Sequence, residues 1–228
     1  MSGTEGSVPV PAATVIPVRD GEAGLEVLLL RRSAGGQFGG MWVFPGGKVD
    51  PEDAQKAAGE DEVSMARAAA VREAREEAGI DLDPASLVLL SFWLPPPEAP
   101  RRFATWFFLA PFEAGPEVVV DLGEIREHQW LTPSEAIRRR DAGSIELAPP
   151  TFTTLWWLRQ HTDSAQAIQT AADREPERFE THVALTADGH LATLWAGDAG
   201  YEDGDVERAG PRRRLWMDPE GWRVEVSS

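Results

Sequence analysis

Arg72-Glu73-Ala74-Arg75-Glu76-Glu77-Ala78-Gly79-Ile80 sets three glutamates at relative positions 0, 3 and 4 of a segment rich in helix formers. At about 100° per residue they project within an arc of roughly 100°, on one helix face. Glu73 and Glu77 form an i,i+4 like-charge pair, which costs about a few tenths of a kcal/mol in an isolated helix. A stripe of three anions gains most from a cation lying over it. Mg²⁺ suits such a stripe, since it takes carboxylate oxygens and shares its other positions with water and substrate phosphate. A solvated helix surface, with Arg72 and Arg75 as partial neutralisers, is the plainer reading of the same residues. The flanking sequence separates the two, because Phe44-Pro45-Gly46-Gly47-Lys48-Val49-Asp50 precedes the helix and Gly79 ends it.

Together these residues resemble the Nudix box, G-x5-E-x7-R-E-U-x-E-E-x-G-U, where U is a bulky apolar residue. Arg72, Glu73, Glu76, Glu77, Gly79 and Ile80 match the second half, with Ala74 in place of a larger U. Gly47 fits the first glycine, but six positions on stands Asp53 and not Glu. Asp53 and Arg72 are 19 positions apart where the pattern has 8, so 11 extra residues, Ala54 to about Ser64, interrupt the box. With Val27-Leu28-Leu29-Leu30-Arg31-Arg32-Ser33, Val43-Phe44-Pro45-Gly46-Gly47 and Ala70-Val71-Arg72-Glu73-Ala74, the interrupted box is similar to the Nudix hydrolases related to peroxisomal acyl-coenzyme A diphosphatases. A Pro-Pro-Thr element at Pro149-Pro150-Thr151 fits the same branch. The resemblance covers roughly residues 10–160.

The resemblance implies an α+β Nudix fold, a mixed β-sheet sandwiched between α-helices, and a diphosphatase that depends on Mg²⁺ or Mn²⁺. It implies Glu76 and Glu77 as principal metal ligands, Glu73 as a further ligand or the base, and the Gly47 carbonyl as an added ligand. Arg72 would orient Glu73 by a charge-assisted bond. A late acidic residue completes metal binding or supplies a base; Glu127 stands slightly ahead of Glu124 for that place. Arg32, Lys48 and Phe44 are the expected substrate-binding residues. The implied partner is a small-molecule diphosphate, coenzyme A or acyl-coenzyme A first. ADP-ribose, NADH or another nucleoside diphosphate is the alternative, and a non-catalytic ligand sensor comes third. Coenzyme A-directed relatives often carry a second arginine after the equivalent of Arg32-Ser33, and Ala34 to Gly40 contains none.

Composition narrows the classes further. The 228 residues carry 22 basic and 38 acidic side chains, a net charge of −16, which argues against a nucleic-acid polymer or an anionic membrane as partner. Phosphate must then be received by a local metal and a few placed arginines. Cysteine is absent, so there is no disulfide framework and no thiol chemistry, which fits a cytoplasmic protein and argues against an isoprenoid diphosphate isomerase. No apolar run reaches the length of a membrane span, and the first residues lack the basic and apolar regions of a secretory signal. A homodimer is left open.

The elements that must position the glutamates follow from patterning. Ala12–Arg19 and Leu25–Arg32 read as strands joined by a turn at Asp20-Gly21, with Val27–Leu30 buried on both faces. Met41–Phe44 is a short strand delivering a Pro45-Gly46-Gly47 turn. Asp50 with Pro51 opens a short helix broken near Gly59, and Ser64 caps a helix over about Met65–Ala78. Its stripe of Ala66, Ala70, Ala74 and Ala78 allows close approach to a sheet. Strands follow at Leu87–Leu94, Phe103–Ala110 and Val118–Val120. Thr132-Pro133-Ser134-Glu135 starts a helix to about Arg140, and Leu147-Ala148-Pro149-Pro150-Thr151-Phe152 opens another through Trp157 and Arg159. The Nudix domain is placed at 10–160. Residues 161–228 form a C-terminal β extension with hairpins at Phe179–Trp195 and Arg212–Val226.

Overall fold

A computed structural model describes residues 7–35, 38–113 and 118–227. The first two strands, β1 (Val10–Gly21) and β2 (Gly24–Arg32), form an antiparallel hairpin closed by Gly21 opposite Gly24. The turn is therefore Glu22-Ala23, two residues beyond the expected Asp20-Gly21. Gly24 accommodates it with φ 103°. Val27 to Leu30 are fully buried, as the uninterrupted apolar run requires.

On β2 lies β3 (Trp42–Val43), and on β1 lies β4 (Gly46–Lys48) with Thr14 opposite Gly46. The Pro45-Gly46-Gly47 segment is thus the entry to a strand and not merely a turn. A Cβ on Gly46 would stand 2.5 Å from the Ala13 carbonyl oxygen, so only glycine lets the two backbones approach this closely. The short helix α1 (Pro51–Lys56) follows, then α2 (Glu62–Ala78). Asp61, not Ser64, caps α2: its carboxylate accepts the Ser64 N–H at 3.0 Å and the Ser64 hydroxyl at 2.7 Å. The end of the insertion is therefore the first turn of α2.

Ala66, Ala69, Ala70, Ala74 and Ala78 of α2 pack on Ala13, Val15, Leu28, Leu30 and Phe108. Methyl side chains bring the helix backbone close to the sheet and cost no side-chain entropy. Gly79 ends α2 in the left-handed region (φ 66°), donating to the Arg75 carbonyl while Ile80 donates to that of Ala74. Val118–Val120 is not the expected strand. Its Val119 N–H instead donates to the Ala78 carbonyl at 3.0 Å, satisfying a helix-end acceptor.

The strands β5 (Val88–Leu94), β6 (Phe103–Pro111) and β7 (Ile125–Leu131) complete this sheet in the order β3-β2-β1-β6-β5, with β4 on β1 and β7 on β2. The other face carries Ile16, Val18, Val27 and Leu29, all fully buried, and α3 (Pro133–Asp141) packs against β2. The helices α4 (Pro149–Leu158) and α5 (Ser164–Ala172) follow. α5 had no counterpart in the sequence reading. Asp163 caps it by accepting the Gln166 N–H, and Asp20 accepts the Ser164 N–H at 2.7 Å. By contacts the chain divides into two compact units, Pro11–Phe92 with Thr105–Glu177, and Met1–Val10 with Trp93–Ala104 and Arg178–Ser228. The first continues through α5 to Glu177, past the boundary expected after residue 160.

In the second unit, Phe179–Leu185 is not one strand but two, β8 (Glu177–Glu180) and β9 (His182–Leu185). Thr181 separates them and gives its N–H to the Leu94 carbonyl. β9 pairs with β10 (Leu191–Leu194), and β11 (Arg212–Asp218) pairs with β12 (Gly221–Ser227). The two expected hairpins join through β10 and β11 into one antiparallel sheet, β12-β11-β10-β9. Trp93 stacks on Phe179 at 3.9 Å, with Trp195 edge-on to both. Among the described residues no helix is long and apolar enough to cross a membrane.

The same unit buries a complete ion pair. Arg214 Nε and Nη2 fork onto Asp198 at 2.7 and 2.6 Å, and Nη1 donates to the Val206 carbonyl. Asp198 also accepts the N–H groups of Gly200 and Arg213. Burial works to raise the Asp198 carboxyl, but the bonds from Arg214, Arg213 and Gly200 outweigh it and hold the group below its usual 3.8. Removing one partner leaves an uncompensated buried charge, so Asp198→Asn is expected to destabilise this unit by about 3 kcal/mol. Chemical denaturation followed by tryptophan fluorescence reads the loss. The Asp198 contribution is fully present above its unfolded value and lost as pH falls through the lower folded one. Wild type gives up this increment in acid and the variant does not.

Candidate active site

Turning α2 so that its alanines meet the sheet leaves Glu73, Glu76 and Glu77 on the flank facing β4. Glu73 and Glu77 are sunk beside the sheet while the Glu76 side chain stays 58% exposed. Arg72 ties this flank together. Its Nη1 donates to Glu73 Oε1 at 2.8 Å and Glu76 Oε2 at 3.0 Å. Its Nε and Nη2 fork onto Asp53 Oδ1 and Oδ2, each at 3.0 Å, and Nη2 also reaches the Lys48 carbonyl at 2.9 Å. Asp53, fully buried, further accepts the Asp50 N–H at 2.8 Å. Burial opposes its ionisation, yet the Arg72 and Asp50 bonds hold its carboxyl below the usual range. The Asp53 bonds in turn push the Arg72 guanidinium above its ordinary value.

Glu77 sits in a second cage. Gly46 N–H donates to Oε2 at 3.0 Å, and Arg32 Nη1 donates to Oε1 at 3.1 Å. Arg32 Nη2 holds Glu124 Oε2 at 2.6 Å. Glu124 is placed by a turn in which Asp121 accepts the N–H groups of Glu124 and Ile125, with Leu122 forced to φ 58°. Burial pushes the Glu77 carboxyl up to about 7, against the Gly46 N–H and Arg32 and with help from Glu73 and Glu124. Burial also raises Glu73. A Cβ on Gly47 would land 2.2 Å from Glu73 Oε1, so glycine there makes room for the carboxylate.

The structure thus gathers Arg32, Gly47, Arg72, Glu73, Glu76 and Glu77 of the expected site residues, and Glu124 with them. Glu127 lies apart: a β-bulge between Arg31 and Arg32 sends Arg31 to Glu127 at 2.7 Å and Arg32 to Glu77 and Glu124. Phe44 is buried at 2% exposure, and Lys48 joins through its carbonyl while its side chain is exposed. Asp53, which joins this flank through Arg72, is not among the expected site residues. Its place six residues after Gly47 was visible, but the 19-residue gap hid its partner.

What this flank offers is oxygen: three carboxylates and a strand of glycine backbone, the donor set a hard divalent cation takes. Among the described residues no three acidic side chains gather around one point as a metal site does. Arg72 and Arg32 hold those oxygens instead.

A family model described as the NUDIX domain matches residues 8–151. The chain belongs to the Nudix family. It is 33% identical over 120 residues to the human acyl-coenzyme A diphosphatase NUDT19, covering 50% of this chain and 32% of that protein. The Xenopus laevis protein of the same name is 31% identical over 109 residues, 46% of this chain and 29% of that one. The aligned stretch is therefore about a third of those relatives' length. The Nudix fold is seen again in a NUDIX hydrolase from Alicyclobacillus acidocaldarius, with a TM-score of 0.65 at 24% identity over 74% of this chain and 99% of that one.

The raised Glu77 carboxyl fixes a pH signature for the metal-free Nudix chain. Between the usual 4.5 and about 7 the folded state keeps a proton that the unfolded state has lost, so stability falls as pH rises through that window. The expected loss is on the order of 3 kcal/mol. Glu77→Gln cannot ionise and is expected to lack this slope in denaturant titrations with chelator at pH 4.5 to 8.

Proposed function

We propose that this Nudix chain is a metal-dependent diphosphatase, with coenzyme A or an acyl-coenzyme A as substrate. The observation that supports the reaction class is the placement of Glu73, Glu76 and Glu77 on one flank of α2, beside the Gly46-Gly47 strand. The similarity to proteins named acyl-coenzyme A diphosphatases supports the substrate. Glu73, Glu76, Glu77 and the Gly47 carbonyl are the residues that would hold Mg²⁺ or Mn²⁺. A divalent ion held there would supply charge neutralisation for the diphosphate oxygens and would lower the pKa of a bound water.

The chain's own residues do the rest. The Gly46 N–H fixes one oxygen of Glu77, and the Arg72 fork fixes the orientation of Glu73. Burial of Glu73 raises its proton affinity, which suits the residue to accept a proton from the attacking water. Asp53 acts only through Arg72. ADP-ribose or NADH is the second reading, favoured by the missing arginine in the loop after Arg32-Ser33.

A panel of coenzyme A, acyl-coenzyme A, ADP-ribose and NADH with each ion, read by mass spectrometry of both products, tests the reading. Cleavage of a coenzyme A species at its diphosphate, abolished by chelator, is expected. Turnover of ADP-ribose with none of any coenzyme A species would overturn the substrate. Asp53→Asn, which leaves the glutamates in place but weakens the Arg72 fork, is expected to lower metal affinity or activity about 10–100-fold.

A further inference from the structure

Both buried glutamates are held by arginines, but the two arginines are anchored very differently. Arg72 has two bonds to Asp53, which is fully buried, and a third to the Lys48 carbonyl. Letting go of Glu73 or Glu76 would leave that anchorage intact, and letting go of Asp53 would strand a buried carboxylate. Arg32 has no such buried anchor. Besides Glu77 its guanidinium holds Glu124, a side chain 69% exposed at the end of a turn. An exposed pair of this kind contributes little and rearranges readily.

Arg32 also holds the Glu77 oxygen that is otherwise available. Glu77 Oε2 is taken by the Gly46 N–H, a backbone donor that cannot swing away. Oε1 is bonded to Arg32 Nη1 at 3.1 Å. A buried carboxyl oxygen left without a partner is costly, and the Arg32 guanidinium supplies one to Oε1.

We propose that Arg32 is a positioning residue that holds Glu77 in place by occupying Oε1, and that it competes with the divalent cation for that oxygen. The proposal rests on the metal-dependent reading above and adds to it the residue that sets metal affinity. Arg32 is then a tuning residue: it stabilises the metal-free chain and weakens the hold on the ion. With Arg72 locked to Asp53, Arg32 is the arginine at this site free to yield.

The test is Mn²⁺ binding to the full chain, by calorimetry or by loss of the free-ion electron paramagnetic resonance signal, for wild type, Arg32→Ala and Arg32→Gln. Removing a positive charge beside the ion is expected to tighten Mn²⁺ binding about tenfold. The same variants in chelator melt at lower temperature, so the rise in melting temperature on adding Mn²⁺ is larger than in wild type. An arginine with only a structural role would lower the chelated melting temperature and leave Mn²⁺ affinity unchanged. Equal or weaker binding in both variants, with wild type binding the ion, therefore overturns this proposal and leaves the diphosphatase reading standing. A wild type that binds neither Mn²⁺ nor Mg²⁺ overturns both. The glutamine variant guards against a fold lost through the cavity that alanine leaves.

Discussion

The site depends on one buried charge pair, Asp53 with Arg72. Asp53 has no exposed surface and would not stay ionised there without the guanidinium fork and the Asp50 N–H. Arg72, once fixed by that fork, has a geometry from which Nη1 meets Glu73 and Glu76 together. The planar fork makes this possible: a lysine has one point charge and could not satisfy Asp53 on one side and two glutamates on the other. The insertion between Asp53 and Arg72 leaves the pair intact because α1 presents Asp53 at its start and α2 presents Arg72 near its middle. Eleven residues of extra chain separate them in sequence and none separates them in space.

Helix packing and site chemistry are one problem in this molecule. The alanine stripe of α2 lets the helix settle close to the sheet, and that closeness strips water from Glu73 and Glu77. Larger core residues on α2 would hold the helix away and leave these glutamates solvated and ordinary. The glycines of β4 serve the same end, Gly46 by admitting the β1 backbone and Gly47 by admitting the Glu73 carboxylate. In a chain with net charge −16, the two arginines answer the excess negative charge locally on this flank, as the proposed phosphate-bearing substrate would require.

Much of this was legible in the residues. The 0, 3, 4 spacing of glutamates placed three carboxylates on one helix flank, and Pro-Gly-Gly ahead of them placed backbone beside it. The apolar run Val27–Leu30 announced a strand buried on both faces. Elements whose conformation depends on a distant partner were not legible. Val118–Val120 has strand-forming side chains, but its backbone is used to satisfy the end of α2. Phe179–Leu185 reads as one strand and is split at Thr181 by a bond to Leu94. Sequence ranks Glu127 slightly ahead of Glu124, whereas the shifted register at Arg31-Arg32 leaves Glu127 on Arg31 and brings Glu124 to Arg32 beside Glu77. Asp53 was hidden because its partner lies beyond an insertion.

The reading proposed for this chain places a divalent cation on the α2 flank that the arginines hold. An anomalous-difference map from a crystal of the full chain soaked in Mn²⁺ tests it most directly. The predicted result is a peak at about 2.1–2.2 Å from oxygens of the α2 glutamates, with Arg72 still forked onto Asp53. A map with Mn²⁺ bound elsewhere, or with Arg32 and Arg72 still holding all three glutamates and no peak beside them, would contradict it.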